Sequence, residues 1–112
     1  AKTQVCKTEK ELARKLFDNW FDYFDDDFDI IELEFATSLG PIDLLGATPT
    51  AFYVIEVKRK RASLKDVTQL RRYVEAMEGQ REIKGFLAAP DISDNAMKYL
   101  SKHGLEYLKV VF

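Results

Sequence analysis

Three residues able to hydrolyse a phosphodiester stand near one another in mid-chain. Asp43 is followed thirteen residues on by Glu56, and Lys58 comes after one intervening valine. Two carboxylates brought together in a half-buried site repel, and one takes up a proton unless a cation neutralises them. Oxygen ligands favour Mg²⁺ or Mn²⁺ over zinc, and the backbone carbonyl of Val57 is a further oxygen within the same motif. Such an ion activates a water and polarises a phosphoryl oxygen. A lysine two residues beyond the second carboxylate can orient or deprotonate that water and offset charge on a pentacovalent phosphorus. Taken alone, a pattern this short favours the plainer alternative of a cross-strand ion pair on a solvated sheet face.

The elements that must position these residues follow from periodicity. Thr8 and Glu11 form a capping-box pattern ahead of Leu12, Leu16, Trp20 and Phe24, with Phe17 and Phe21 broadening the stripe of a helix about four turns long. Ile31, Leu33 and Phe35 alternate with Glu32 and Glu34 as a half-buried strand. Ile42 to Leu45 is a second strand closed by Gly46, residues 47–51 form a hairpin loop, and Phe52 to Lys58 is the third strand. In that strand Phe52, Val54, Glu56 and Lys58 share one face, with Tyr53, Ile55 and Val57 on the other. Asp43 faces opposite to Ile42 and Leu44, so pairing across the hairpin lets Asp43, Glu56 and Lys58 converge at one end of the sheet. A helix from Ser63 to Gly79, a strand Ile83–Ala89, a helix Asp94–His103 and a strand from Leu105 to Phe112 complete the chain. The order α-β-β-β-α-β-α-β predicts an α/β fold with a mixed sheet flanked by helices, in one domain spanning residues 1–112 with 1–7 as a loose N-terminal segment.

Composition bounds the partners. The chain has 112 residues and a net charge of −2, but the charge is unevenly spread. Residues 1–34 carry 5 Lys/Arg against 10 Asp/Glu, whereas residues 58–84 carry 9 against 4. A basic face opposite an acidic end suits a polyanion. One cysteine, Cys6, excludes an internal disulfide framework and a Cys/His zinc cage, which points to an intracellular, cytoplasmic protein. No apolar run is long enough to span a bilayer. A first residue other than Met fits a processed chain or a piece of a longer one.

The segments "GPIDLLG", "YVIEVKRKRA" and "VTQLRRYVEA" resemble the PD-(D/E)xK nuclease superfamily. More narrowly they resemble the RecB-like C-terminal domain of the NucS/EndoMS endonucleases. "IKGFLAAPDIS" and "KHGLEYLKV" are similar to that domain's closing βαβ, so the likeness runs from about Thr8 to the end. The superfamily's Pro-Asp pair is loosened here to Pro41-Ile42-Asp43. The resemblance implies a restriction-endonuclease-like fold, with Asp43 and Glu56 as metal carboxylates and Lys58 as the catalytic lysine. It also implies that Gln69 and Tyr73 match a QxxxY motif that buttresses the site or touches DNA. Glu9 matches the first-helix glutamate that reaches the metal directly or through water and could help hold a second ion. Glu11 is its rival, but its capping position gives it a plainer job. Members of that branch also carry an N-terminal domain for dimerisation and for gripping flipped mismatched bases. Nothing of that kind precedes Thr8, which implies a domain cut from a longer protein or a free-standing relative.

The expectation is therefore a Mg²⁺- or Mn²⁺-dependent endodeoxyribonuclease acting on mismatched, branched or single-stranded DNA in repair. The alternatives are a Holliday-junction resolvase, a restriction-like enzyme, or a catalytically silent nucleic-acid-binding module. Lys60, Arg61, Lys65, Arg71 and Arg72 are the expected phosphate contacts. Arg59 points away from Lys58 if the strand continues. Cutting both strands of a duplex needs two active sites, hence an expected homodimer. His103 reads as a cation at a helix C-terminus, Cys6 as incidental, and Asp25 to Asp29 as a solvated loop without the spacing of an EF-hand.

Overall fold

The computed structural model describes residues 7–25, 27–77, 79 and 81–111. Cys6 and the rest of the N-terminal segment through residue 6, Asp26 of the acidic run, and Phe112 lie outside the described residues. Four helices and five strands follow in the order α1 (Glu9–Asp18), α2 (Trp20–Tyr23), β1 (Ile30–Thr37), β2 (Gly40–Ala47), β3 (Ala51–Val57), α3 (Leu64–Ala76), β4 (Glu82–Ala89), α4 (Asp94–Lys102) and β5 (Glu106–Lys109). The strands lie side by side in sequence order. β1, β2 and β3 pair antiparallel, and β3, β4 and β5 pair parallel. This is the expected mixed sheet, with the crossovers through α3 and α4 supplying its parallel half.

Both faces of the sheet are covered, so β3 is buried nearly throughout. Tyr53, Ile55 and Val57 pack with Leu12, Leu16 and Trp20 of the first helical layer. Val54 packs with Val67, Leu70 and Leu100 of α3 and α4. At roughly 1.5–3 kcal/mol for each fully buried large apolar side chain, these two clusters hold the layers together and leave the sheet's end to carry charge.

The structure departs from the sequence reading in several places. The first helix is interrupted at Asn19, whose side-chain amide donates to the Lys15 carbonyl at 2.7 Å. Leu12, Leu16, Trp20 and Phe24 are buried as expected, but Phe21 is 65% exposed and does not widen the stripe. Gly46 sits inside β2 rather than closing it. A Cβ there would lie 2.5 Å from the Trp20 ring, so the glycine admits the indole against the sheet. β5 is shorter than the predicted last strand, although the Val110 N–H still donates to the Ala89 carbonyl.

The most consequential departure lies at Asp43. Ile42 and Leu44 do not share a face: Leu44 joins the α1-side cluster and Ile42 the α3-side cluster. Likewise Ile31 and Leu33 pack on the α1 side and Phe35 on the other. The cause is at Glu34, a non-glycine residue with φ of 52°. The β1–β2 register runs unbroken on either side, but Glu34 and Asp43 are missing from it as a pair. A left-handed residue in a strand turns the pleat over, so both strands change face at this one position.

Candidate active site

β3 carries Glu56 and Lys58 to the C-terminal end of the parallel strands, where the crossover loops diverge and open α/β sheets leave a crevice. The β2–β3 pairing runs from Ala47↔Phe52 to Leu44↔Ile55 and stops there. Beyond it the strands part, and their carboxylates replace the missing ladder bonds. The Val57 N–H donates to Asp43 Oδ2 at 2.8 Å. In return the Asp43 N–H lies toward the Glu56 carboxylate and favours its charged form. A residue's N–H and C=O point to the same edge of a strand, so the Val57 carbonyl faces the same gap.

Glu56 is only 7% exposed, and its Oε1 is buried without a hydrogen-bond partner. Burial pushes the Glu56 carboxyl up to about 8, and the neighbouring Asp43 charge adds to this; the Asp43 N–H and the Lys58 ammonium oppose it. Asp43 is half-buried, and its carboxyl is also raised, first by burial and then by Glu9 and Glu34, against the Val57 N–H and Lys58. At neutral pH the pair therefore retains a proton that two solvated carboxylates would have lost. The donor set consists of hard oxygens, one of them lacking any partner, and this fits Mg²⁺ or Mn²⁺. Asp43, Glu56 and the Val57 carbonyl are the groups that would hold such an ion. Among the described residues, no cluster of three or more His, Cys, Asp or Glu side chains is assembled as a cage.

Lys58 and Arg59 leave the end of β3 in opposite directions, as the alternation requires. Lys58 Nζ lies 3.6 Å from Asp66 Oδ1 on α3. Arg59 turns to α1, where its N–H donates to Glu9 Oε2 at 3.3 Å and its Nε lies 3.6 Å from the same oxygen. Glu9 is thus beside the site and within electrostatic reach of Asp43, but its carboxylate is occupied by Arg59. Glu11 stays at the helix cap: its N–H donates to Thr8 Oγ1, and its carboxylate accepts the Lys7 N–H, both at 3.1 Å.

A cleft of about 530 Å³ runs along α3, lined by Lys58, Lys65, Asp66, Gln69 and Arg72 among others. A second, of about 240 Å³, is lined by Glu9, Lys58, Arg59, Lys60, Arg61 and Asp66. The structure therefore brings Gln69, Lys65, Arg72, Lys60 and Arg61 to the edges of the site. Arg61 also pairs with Asp91 at 3.6 Å. Tyr73 is 5% exposed within the α3-side core, with its hydroxyl close to Gly40, where a Cβ would come within 3.1 Å. Arg71 is not brought to the cleft: it is held by Glu75 at 2.9 Å and faces the Tyr99 hydroxyl at 3.4 Å. His103 does not behave as the expected cation. Desolvation, then Arg71 and Lys102, push its ring below the ordinary value, and it packs 4.4 Å from Tyr99.

Sequence reasoning placed Asp66 only in the cap of the helix after β3 and Arg59 only on the side away from Lys58. The spacing Ser63-x-x-Asp66, placed right after β3, was the available signal for Asp66. The left-handed Glu34 left no signal at all.

The model of the endonuclease NucS C-terminal domain matches residues 8–111. The chain belongs to that family. Endonuclease NucS of Methanocaldococcus jannaschii is 35% identical over 107 residues, covering 92% of this chain and 40% of that protein. The Pyrococcus furiosus enzyme is 35% identical over 106 residues, covering 92% and 39%. The chain thus spans about two fifths of the length of these relatives. Among solved structures, a repair endonuclease from Pyrococcus abyssi superposes with a TM-score of 0.82 at 31% identity, covering 98% of this chain and 50% of that one. An EndoMS–dsDNA complex gives 0.83 at 32%, covering 99% and 47%. The mixed sheet and its flanking helices are those of NucS structures.

Proposed function

We propose that this chain is a metal-dependent endonuclease domain that hydrolyses DNA phosphodiester bonds in repair, on mismatched, branched or single-stranded DNA. The observation that carries the reading is the Asp43–Glu56 pair. Glu56 is buried and Asp43 half-buried, the Val57 amide ties Asp43 to β3, and one Glu56 carboxylate oxygen is left unpartnered. A structural ion pair would leave no such oxygen without a partner, since an unsatisfied buried acceptor costs about 1–3 kcal/mol. Membership of the NucS C-terminal family and the double-stranded DNA held by a related structure support DNA as the partner.

A bound Mg²⁺ or Mn²⁺ supplies a water of lowered pKa and polarises a phosphoryl oxygen. Asp43, Glu56 and the Val57 carbonyl would hold it. Lys58 presents an ammonium at the mouth of the α3 cleft, where it offsets charge developing on the phosphate oxygens. Gln69 and Arg72 line the wall along which the strand runs, and Lys60, Arg61 and Lys65 add phosphate contacts. Arg59 keeps Glu9 beside Asp43.

The test is cleavage of junction, flap, mismatched and plain duplex DNA with Mg²⁺ or Mn²⁺, comparing the parent with Asp43→Ala and Glu56→Ala. Cleavage by the parent alone supports the reading. A parent that cuts nothing, or variants that cut equally well, overturns it. Light scattering of the DNA-bound species addresses the two-fold dimer that a double-strand cut requires.

A further inference from the structure

The first turn of α3 carries a carboxylate with two jobs. Asp66 Oδ2 accepts the Ser63 N–H at 2.8 Å and the Ser63 hydroxyl at 3.1 Å, which fixes the side chain. Oδ1 is left facing Lys58 Nζ at 3.6 Å. Asp66 is 19% exposed in its side chain and Lys58 36%, so water screens the pair less than an open surface pair. Both residues line the α3 cleft and the smaller cleft beside Glu9, so the pair forms the ridge between the two.

The ridge matters because Lys58 has few other anchors. A lysine ammonium sits on a flexible four-carbon stem and samples a wide volume unless something holds it. The other anions that act on it are Asp43 and Glu56, and both would become committed once a divalent cation binds between them. Their pull on the ammonium is then lost, and the cation itself repels it. Asp66 is outside that donor set and tied to the helix cap, so its hold survives cation binding.

We propose that Asp66 is the positioning residue for Lys58, aiming its ammonium at the scissile phosphate through a carboxylate fixed by the α3 cap; this rests on the nuclease reading above. The function of the pair is then geometric, and a displacement of the order of 1 Å costs up to about a hundredfold in rate.

The experiment compares Asp66→Asn, which keeps a cap acceptor but removes the charge, with Asp66→Glu, which keeps both. Single-turnover cleavage and DNA affinity are measured separately, with folding checked by circular dichroism. In parallel, the order parameter of the Lys58 Cε is read by NMR on ¹³C-lysine-labelled protein with and without saturating Mg²⁺ and assigned through Lys58→Met. The expected result is an Asp66→Asn rate about ten- to a hundredfold lower, with DNA binding unchanged or tighter because an anion has left the cleft. The Lys58 order parameter falls in Asp66→Asn, and Asp66→Glu restores both rate and order. A parent-like rate in a folded Asp66→Asn, or an unchanged Lys58 order parameter, overturns the proposal. If the parent cuts no DNA, the nuclease reading fails, and the order parameter alone decides whether Asp66 holds Lys58.

Discussion

Replacing Glu56 with glutamine tests the proton held between the paired carboxylates. In the folded, metal-free chain the Glu56 carboxyl is pushed from 4.5 to about 8. The unfolded chain gives up that proton near the lower value, so the folded state binds more protons between the two. Stability is fully present below about pH 4.5 and falls as pH rises through 8, at up to 1.36 kcal/mol per unit for one proton. Across the window this amounts to at most on the order of 5 kcal/mol, with Asp43 taking a share because the two titrate together. Glu56→Gln cannot lose the proton, so its stability gains on the parent's steadily from pH 5 to 8. Urea unfolding in EDTA, followed by the fluorescence of the single buried tryptophan, Trp20, reads the difference directly. Adding Mg²⁺ at pH 8 restores the parent and leaves the variant unmoved, because binding to the folded state alone stabilises it by mass action. Parallel stability curves for parent and variant from pH 5 to 8 would falsify the trapped proton.

Lys58→Met lowers single-turnover cleavage on the order of 10²–10⁴-fold while Mn²⁺ affinity, measured by calorimetry, stays within a few-fold. Alanine at Lys60, Arg61, Lys65 or Arg72 weakens DNA binding and lowers the slope of log affinity against log salt by roughly one each. Arg71→Ala leaves that slope unchanged, since its guanidinium is spent on Glu75 and Tyr99; fluorescence anisotropy across a salt series separates the two groups. Gly46→Ala drives a methyl into the Trp20 and Phe28 rings and destabilises the chain by about 1–3 kcal/mol, read as a lowered urea midpoint.

The features legible in the sequence were those set by local chemistry. Capping at Thr8 and the alternation of β3 need only nearest neighbours on one element, and both are present as read. Leu12, Leu16, Trp20 and Phe24 are buried as read, although the helix breaks at Asn19. The meeting of Asp43 with Glu56 and Lys58 follows from the hairpin, although the period of two fails at Asp43 itself. What escaped depends on contacts distant in sequence. Glu34 and Asp43 flip the faces of two strands together, and no propensity marks a glutamate for the left-handed region. Arg71 reads as one more cation on a basic helix until α4 supplies Tyr99. Asp66 and Arg59 acquire their partners only when α3 and α1 close on the end of β3.

The geometry of the pair has a consequence for how its variants are read. Asp43 accepts from the amide of Val57, next to Glu56, and the Asp43 amide favours the Glu56 charge. The Asp43 carboxylate is thus fixed by main chain of β3, not left to free side-chain rotation, at the point where the β2–β3 ladder ends. An alanine at Asp43 removes a proposed cation ligand and also leaves the Val57 N–H without its partner, a cost of about 1–3 kcal/mol where it stays buried. Loss of activity in Asp43→Ala therefore mixes chemistry with a loosened strand. Asp43→Asn keeps an acceptor for the Val57 N–H and removes only the charge. Comparing the asparagine and alanine variants separates the two roles: cation affinity falls in both, whereas only alanine lets β2 and β3 part further and speeds exchange of the Val57 amide.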